Sequence, residues 1–128
     1  MIESVNATVL LVDDNAQNLK VLYETLKDRG YHLLIANDGE KALTLANRHN
    51  PEVILLDIMM PDLDGYEFLD LKNETLGGEI PVIIVSAKTD TDSIQQAIDK
   101  GAYDYISKPF NTRNIINKIR TALGNQDH

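Results

Sequence analysis

The chain has 128 residues, of which 43% are hydrophobic and 25% are charged, and it contains no cysteine. This composition predicts one folded domain over residues 1–128, with a core of about 8–123 and a short polar tail at 124–128, and it excludes disulfides and thiolate zinc sites. Twelve Lys and Arg against twenty Asp and Glu give a net charge of −8, which argues against direct nucleic-acid binding. The apolar runs are too short to cross a bilayer and no export signal is visible, so we expect a cytoplasmic protein that does not contact membranes.

Five short runs rich in β-branched residues and leucine alternate with segments of helical spacing. The predicted strands are Thr8–Val12, Tyr31–Ala36, Val53–Asp57, Val82–Ser86 and Asp104–Ser107. The first, third and fourth strands are apolar at every position, which is typical of strands that are covered on both faces. The alternation predicts an α/β protein in which helices cover both faces of a parallel sheet.

A predicted helix follows each strand. The helices are Ala16–Arg29, a segment capped by Asp38 and ended by Asn50-Pro51, Gly65–Asn73, Thr91–Lys100, and a last helix that begins at Asn111 or Thr112. The predicted apolar face of the first helix consists of Leu19, Leu22, Tyr23 and Leu26. Gly30 is placed to end that helix in a left-handed conformation.

Acidic side chains come directly after two of the predicted strands. Asp13 and Asp14 follow the first strand, and Asp57 ends the third. Each of these carboxylates alone would be an ordinary helix or turn cap. Ligands of parallel sheets bind outside the carboxyl ends of the strands, however, and three carboxylates gathered there repel one another unless a cation offsets them. Ligation by oxygen alone suits a hard ion, so we predict a Mg²⁺ site.

Two further polar side chains are predicted to lie at the same edge. Ser86 ends the fourth strand and Lys108 follows the fifth. Surface packing and strand-end capping are the ordinary roles of a lone lysine and a lone serine. A fixed ammonium next to Mg²⁺ holds a transferring phosphoryl group, and a hydroxyl donates to a phosphoryl oxygen. Asp57 could then attack phosphorus and form an aspartyl-phosphate.

Four motifs in this order resemble the receiver domain of two-component response regulators. They are Val12-Asp13-Asp14, the segment LDIMMPDLDG at 56–65, Val85-Ser86-Ala87 and Lys108-Pro109-Phe110. Each motif is weak alone, but the four together at these separations are specific, and the resemblance extends over residues from about 8 to 123. It implies a flavodoxin-like (βα)5 fold, which is a doubly wound five-stranded parallel sheet of order 2-1-3-4-5.

The resemblance also implies how the acidic residues act. Asp57 is the expected phosphoacceptor. Mg²⁺, for which Mn²⁺ is an expected substitute, is held by Asp13, Asp14, Asp57 and the main-chain carbonyl of Met59. Met59 and Lys88 are expected to flank the path of the hydrolytic water, and since Met59 cannot orient a water molecule, we expect slow self-dephosphorylation.

The remaining motif residues are expected to bind the phosphoryl group and to transmit its presence. By the resemblance, Ser86 and Lys108 bind the phosphoryl group, Tyr105 is the switch aromatic, and the peptide bond before Pro109 is cis. Ser86 stands where the family often has threonine, so switching should survive with a looser fit. Asn15 is a further departure, because many members carry another acid or a small residue there.

The implied function is phosphoryl acceptance in two-component signalling. The expected donor is a sensor histidine kinase or a phosphotransfer domain, with self-phosphorylation from small phosphodonors but no enzymatic turnover. Phosphorylation is expected to change the face formed by the fourth helix, the fifth strand and the last helix. That face would contact a downstream protein or a fused output domain, and a dimer that forms on phosphorylation is a further expectation.

Three other functions compete with this interpretation. A Mg²⁺-dependent phosphatase of the haloacid-dehalogenase type would need a second acid two residues after the nucleophile, where Asp57 is followed by Ile58 and Met59. An interaction module that is never phosphorylated would not need the acceptor residues. A flavodoxin-like FMN binder would need a phosphate loop rich in Ser, Thr and Gly after the first strand.

Overall fold

The computed structural model describes residues 7–58, 65–76, 80–87 and 90–126. Strands and α-helices alternate along these residues. They are β1 (Thr8–Val12), α1 (Ala16–Leu26), β2 (His32–Ala36), α2 (Gly39–His49), β3 (Val53–Leu56), α3 (Gly65–Leu76), β4 (Val82–Ser86), α4 (Thr91–Asp99), β5 (Asp104–Ser107) and α5 (Thr112–Gln126). A 3-10 turn at Lys27–Arg29 follows α1.

The strands form one parallel sheet of order β2-β1-β3-β4-β5, which confirms the predicted fold class and strand order. Val12, the last residue of β1, lies level with Ala36 of β2 and Leu56 of β3. The chain adds β2 on one side of β1 and β3 on the other, so the strand order reverses next to β1. In open α/β sheets, such a reversal marks the ligand site.

Alternate residues of the central strands point to opposite faces of the sheet. On one face, Leu10 and Val12 of β1 pack with residues of α2, α3 and α4, among them Phe68. On the other face, Val9 and Leu11 pack with residues of α1 and α5. Both faces of β1, β3 and β4 are thereby buried, as their continuous apolar sequences predict.

Side-chain caps and left-handed residues set most helix ends. Asn15 caps α1, its Oδ1 accepting from the backbone N–H of Asn18 at 3.0 Å. Asp38 caps α2 in the same way, accepting from Lys41 at 2.8 Å. Gly30 adopts a φ of 87° after the 3-10 turn. The predicted first helix is therefore α-helical only to Leu26, because its last three residues tighten before the glycine.

Three details of the sequence-based prediction are wrong. Tyr23 was expected on the buried face of α1, but 39% of it is exposed, because it lies beside the stripe of Leu19, Leu22 and Leu26. Helix α3 continues to Leu76, beyond the predicted end at Asn73. Helix α5 continues to Gln126, so a tail at 124–128 overlaps its last turn. The spacing of apolar residues shows which part of a helix contacts the core. The hydrogen bonds of the helix can continue beyond that part, so its last residue is predicted less accurately.

Within the residues described above, no helix combines the length and the apolar character needed to cross a lipid bilayer.

Candidate functional site

The pairing of β1 with its neighbours brings Asp13 next to Asp57. The backbone N–H of Asp57 donates to the carbonyl of Val12 at 3.0 Å, and that of Asp13 donates to Ala36 at 3.2 Å. The strand ladders therefore continue one residue past the ends of β1 and β3. Both carboxylates are largely buried at the carboxyl edge of the sheet, while Asp14 is exposed.

The carboxylate of Asp13 is held from two sides. Its Oδ1 accepts from the backbone N–H of Asn15 at 3.0 Å, and its Oδ2 lies 3.2 Å from the ammonium of Lys108. Asn15 thus links the acidic pair to α1, because its own side chain caps that helix. The sequence could have revealed this cap, since asparagine is strongly favoured immediately before a helix.

Lys108 forms a bridge between the two buried carboxylates. Its Nζ lies 3.2 Å from Asp13 Oδ2 and 3.7 Å from Asp57 Oδ2. The backbone N–H of Lys108 donates to the carbonyl of Ser86 at 2.9 Å, which extends the pairing of β4 with β5. The following bond, Lys108–Pro109, is cis, as the resemblance implies. The ammonium is therefore presented to the carboxylates from a backbone that the sheet holds in place.

The three acidic side chains could hold a metal ion. One oxygen from each of Asp13, Asp14 and Asp57 lies within 4.8 Å of the others. Two oxygens on opposite sides of one hard cation are about 4.2–5.2 Å apart, since metal–oxygen distances are about 2.1 Å for Mg²⁺ and up to 2.6 Å for Ca²⁺. The donors are all carboxylate oxygens, which hard cations prefer. The chain's own residues therefore fit an ion such as Mg²⁺.

Ser86 and Tyr105 are in contact across the paired strands β4 and β5. Ser86 is fully buried at the end of β4, and the half-buried Tyr105 lies on β5 against the core cluster that α2, α3 and α4 cover. Burial raises the pKa of the Tyr105 phenol, and a hydrogen bond with the Ser86 side chain acts in the opposite direction. The side chain expected to rotate inward on switching is therefore already bonded to Ser86.

A set of contacts near Tyr105 was not predicted from the sequence. Asp90 caps α4, because its carboxylate accepts from both the N–H and the hydroxyl of Ser93 at 2.9 Å. The hydroxyl of Tyr66 on α3 donates to the Ser93 carbonyl at 3.2 Å. The cap could have been predicted, since aspartate is favoured directly before the first residue of a helix. The bond from Tyr66 joins residues 27 positions apart and has no local signal.

An apolar groove of about 460 Å³ opens beside Lys108. Its lining residues come from α1 and from the segments that follow β4 and β5, and they are Asn18, Val21, Leu22, Ala87, Lys108, Pro109 and Phe110. Because Lys108 belongs both to this groove and to the carboxylate cluster, the groove is continuous with the candidate site. Met59, expected to supply a main-chain metal ligand, and Lys88, expected with Met59 to flank the path of the hydrolytic water, lie outside the described residues.

Comparison with known proteins gives one consistent family. The family model described as "Response regulator receiver domain" matches residues 9–120. The chain is 39% identical over 115 residues to the transcriptional regulatory protein KdpE of Mycobacterium tuberculosis, covering 90% of this chain and 50% of that protein. It is 30% identical over 125 residues to the DNA-binding response regulator MtrA of Mycobacterium bovis, covering 98% of this chain and 54% of that protein. The chain thus spans about half the length of these relatives.

Solved structures agree with the sequence comparison. The receiver domain of the Francisella response regulator 1452 superposes with a TM-score of 0.87 at 32% identity, covering 94% of this chain and 98% of that one. The Vibrio cholerae chemotaxis protein CheY4 superposes with a TM-score of 0.86 at 29% identity, covering 92% and 99%. The sequence match, the strand order and the similar solved structures agree on one family. The chain belongs to the response regulator receiver domains.

Proposed function

We propose that this receiver domain accepts a phosphoryl group on Asp57 from the phosphohistidine of a sensor histidine kinase or a phosphotransfer domain. The observation that carries the proposal is the surroundings of the Asp57 carboxylate. Two further carboxylates lie within 4.8 Å of it, and the ammonium of Lys108 lies 3.7 Å away. An acceptor carboxylate with places for two cations beside it can receive a phosphoryl group whose negative charge both cations offset.

In the proposed reaction, an oxygen of Asp57 forms a bond to phosphorus as the phosphorus–nitrogen bond to the donor imidazole breaks. The bonding electron pair stays on that imidazole nitrogen, which takes up a proton. Lys108 neutralises one of the phosphoryl oxygens, while Asp13 is kept in place by its contacts with Asn15 and Lys108. The chain thereby positions the reactants, which is the main contribution of proteins to phosphoryl transfer.

Mg²⁺, or Mn²⁺ in its place, would be held by Asp13, Asp14, Asp57 and the main-chain carbonyl of Met59. When bound, the ion supplies positive charge that offsets both the clustered carboxylates and the incoming phosphoryl group. Three carboxylates, those of Asp13, Asp14 and Asp57, gather near the single ammonium of Lys108, and Asp13 and Asp57 are buried. This excess of negative charge supports a divalent cation as part of the working site.

The phosphoryl group is proposed to be sensed through Ser86 and Tyr105. The Ser86 hydroxyl would turn toward a phosphoryl oxygen, and its hydrogen bond with Tyr105 would then be exchanged. Tyr105 shares the core cluster with residues of α3 and α4, so a change in its position alters the surface of α4, β5 and α5. A contact that exists only in the phosphorylated state is what shifts a two-state equilibrium.

Partners are proposed from the site and from the relatives. The phosphohistidine donor would dock in the groove beside Lys108, which leads to Asp57. A downstream protein or a fused output domain would contact the face of α4, β5 and α5, on which phosphorylation could also promote a dimer. The expectation of no nucleic-acid contact finds no support in the comparisons, since one relative is named as a DNA-binding regulator. We propose a cytoplasmic location for this single domain.

Acetyl phosphate with Mg²⁺ tests the proposal. Intact-mass analysis should show one added phosphoryl group on the parent chain, none on Asp57→Asn and none with excess chelator. The matched control is Asp104→Asn, which removes a carboxylate that pairs with Lys118 at 2.9 Å away from the site and should keep the label. Rapid release of phosphate without accumulation of the phosphorylated chain would instead indicate the phosphatase, and a label retained by Asp57→Asn would refute the assigned acceptor.

A further inference from the structure

A second cleft, of about 410 Å³, is rich in arginine. It is lined by Arg29, Thr112, Arg113, Ile116, Asn117 and Arg120. None of these residues belongs to the carboxylate cluster or to the groove beside Lys108. We refer to it as the arginine cleft. Binding of a ligand there would not require the proposed phosphorylation of Asp57.

The charge of the arginine cleft is opposite to that of the chain. The chain carries a net charge of −8 and has four arginines, of which three line this cleft. Helix α5 contains no aspartate or glutamate from residue 112 to residue 126. The cleft is therefore a local concentration of positive charge on an acidic protein.

The arginines of the cleft are not used in ion pairs within the described part of the chain. Several lysines do have acidic partners there: Lys27 pairs with Glu24 at 2.8 Å, Lys100 with Asp70 at 2.8 Å and Lys118 with Asp104 at 2.9 Å. No such partner occurs among these residues for the three arginines, although the guanidinium group is the cation best suited to pairing with carboxylates. Like charges gathered without partners repel, and a bound anion would remove that repulsion.

The spacing of the arginines along the backbone bears on the size of the anion. Arg113 and Arg120 are seven residues apart on one helix, a rise of about 10 Å. Arg29 reaches the cleft from the 3-10 turn after α1. Arg29 and Arg120 also lie close to the same phenol, because both act to lower the pKa of Tyr31 against the raising effect of burial. Three arginines whose backbones are separated in this way can each contact a different phosphoryl group of one anion.

We propose that the arginine cleft binds a small polyanion that carries two or more phosphoryl groups. The arginines would bind phosphoryl oxygens through paired N–H donors, and the side chains of Thr112 and Asn117 add further donors. The cleft volume is within the range of small-molecule sites. A long nucleic acid fits less well, because its phosphates would continue past the cleft onto an acidic surface.

Titration with tripolyphosphate tests the proposal. The protein is dialysed free of divalent cations and used without chelator, since a polycarboxylate chelator would compete for the cleft. Calorimetry should show one saturable site, and backbone amide shifts should change at 29–31 and 112–120. Arg113→Gln combined with Arg120→Gln should weaken binding by about tenfold or more. The control Arg48→Gln removes the one arginine outside the cleft, an exposed residue of α2, and should bind as the parent does.

Additional ligands and variants show which kind of anion binds and whether the arginines bind it through paired donors. A nucleoside diphosphate compared with pyrophosphate distinguishes a nucleotide from an inorganic ligand. Arg113→Lys keeps the charge but loses the paired donors, so it should bind more weakly even if the double variant fails to fold. Asp57→Asn should bind as the parent does, which separates this result from the fate of the phosphorylation proposal.

Four outcomes would overturn the proposal. They are the absence of saturable binding, equal weakening in Arg48→Gln, shifts centred on Asp13, Asp57 and Lys108, and tighter binding of a peptide rich in Asp and Glu than of tripolyphosphate. The last outcome would assign the cleft to an acidic protein segment.

Discussion

The ammonium of Lys108 lies 3.2 Å from a carboxylate oxygen of Asp13, although the two residues are 95 positions apart in the chain. It lies 3.7 Å from Asp57 as well, so one lysine balances part of the charge of both acids. A divalent ion bound by the same acids must share them with this ammonium. Lys108 should therefore weaken metal binding even as it favours phosphoryl binding.

We expect Lys108→Met to bind Mg²⁺ about 3- to 10-fold more tightly than the parent, because a repelling positive charge is removed. Phosphorylation by acetyl phosphate should nevertheless become slower, since the phosphoryl group loses its ammonium partner. Metal titration and intact-mass time courses measure the two effects. The control is Lys100→Met, which removes an ion pair with Asp70 away from the site and should change neither. Weaker Mg²⁺ binding in Lys108→Met would contradict the prediction.

The groove beside Lys108 should distinguish protein donors from small ones. Val21 lines this groove, and 44% of it is exposed. Val21→Asp places a charge in the apolar surface that a protein donor would cover, so transfer from a phosphorylated phosphotransfer domain should slow by about tenfold. Acetyl phosphate needs no such surface and should react at the parent rate. Ile35→Asp is the matched control, because Ile35 is 45% exposed and does not line the groove.

Tyr105→Phe should uncouple the acceptor from the surface of α4. The substitution removes one partner of the Ser86 hydroxyl, and we expect a loss of about 1 kcal/mol in the free energy of unfolding. Beryllofluoride with Mg²⁺ should still perturb amide shifts around Asp57 in this variant, but the shifts in Thr91–Asp99 should become smaller. Shifts in α4 equal to those of the parent would mean that the signal bypasses Tyr105.

The same variant should change the alkaline stability of the fold. Burial raises the pKa of the Tyr105 phenol above 10.0, so the unfolded chain loses this proton first as the pH rises. The protonated Tyr105 phenol therefore contributes to the free energy of unfolding below pH 10.0, and this contribution is lost as the pH rises above that value. The pH profile of Tyr105→Phe should lack this loss of stability. Tyr23→Phe, at an exposed position on α1, serves as the control.

The lifetime of the phosphorylated form is predicted to depend on Met59 and Lys88. Met59 has no group that can orient a water molecule, and Lys88 can screen its approach. Met59→Asn and Lys88→Ala should each speed the first-order loss of the phosphoryl group several-fold. Decay is followed by intact mass after the phosphodonor is removed. Unchanged decay in both variants would place the control of hydrolysis elsewhere.

Lys72 of α3 is a buried cation, with 1% of its surface exposed. Burial lowers its pKa from 10.5, because the charged form is poorly solvated. Lys72→Met should therefore stabilise the fold by about 1–3 kcal/mol at neutral pH. The folded chain loses the Lys72 proton at lower pH than the unfolded chain, so the parent recovers stability as the pH rises toward 10.5.

The difference in the free energy of unfolding between the parent and Lys72→Met should therefore become smaller as the pH rises. Urea unfolding from neutral pH to about pH 10 measures this difference. Lys41→Met, at an exposed position of α2, is the control and should show no stabilisation of this kind. A destabilised Lys72→Met would show that the buried ammonium is compensated.

Strands were predicted from the sequence more accurately than helix ends. The bounds of β1, β4 and β5 agree residue for residue with the prediction. In β1 and β4 an uninterrupted apolar run limits where the strand can begin and end. The core was predicted to extend to about residue 123, whereas the hydrogen bonds of α5 continue to Gln126. Lys72 was not noticed at all, since a lysine at helical spacing after Phe68 gives no sign that it is buried.

Positions in the site could be predicted, but the contacts between them could not. Asp13, Asp57, Ser86 and Lys108 were placed at the carboxyl ends of strands by the topology alone. The bond between Ser86 and Tyr105 depends on the depth and tilt of side chains on two strands, which spacing does not encode. The arginine cleft combines Arg29 with residues more than 80 positions away in the chain, so no local sequence pattern predicts it.

The pairing of β1 with β3 has a consequence for the chain as it leaves the ribosome. Synthesis delivers Asp13, Asp14 and Asp57 well before Lys108. A nascent chain that has formed β1 and β3 would hold these carboxylates together without the ammonium that later balances them. Docking of β5 therefore does more than add an edge strand, because it supplies the missing charge. The last strand to be made should be the one that commits the sheet to its final form.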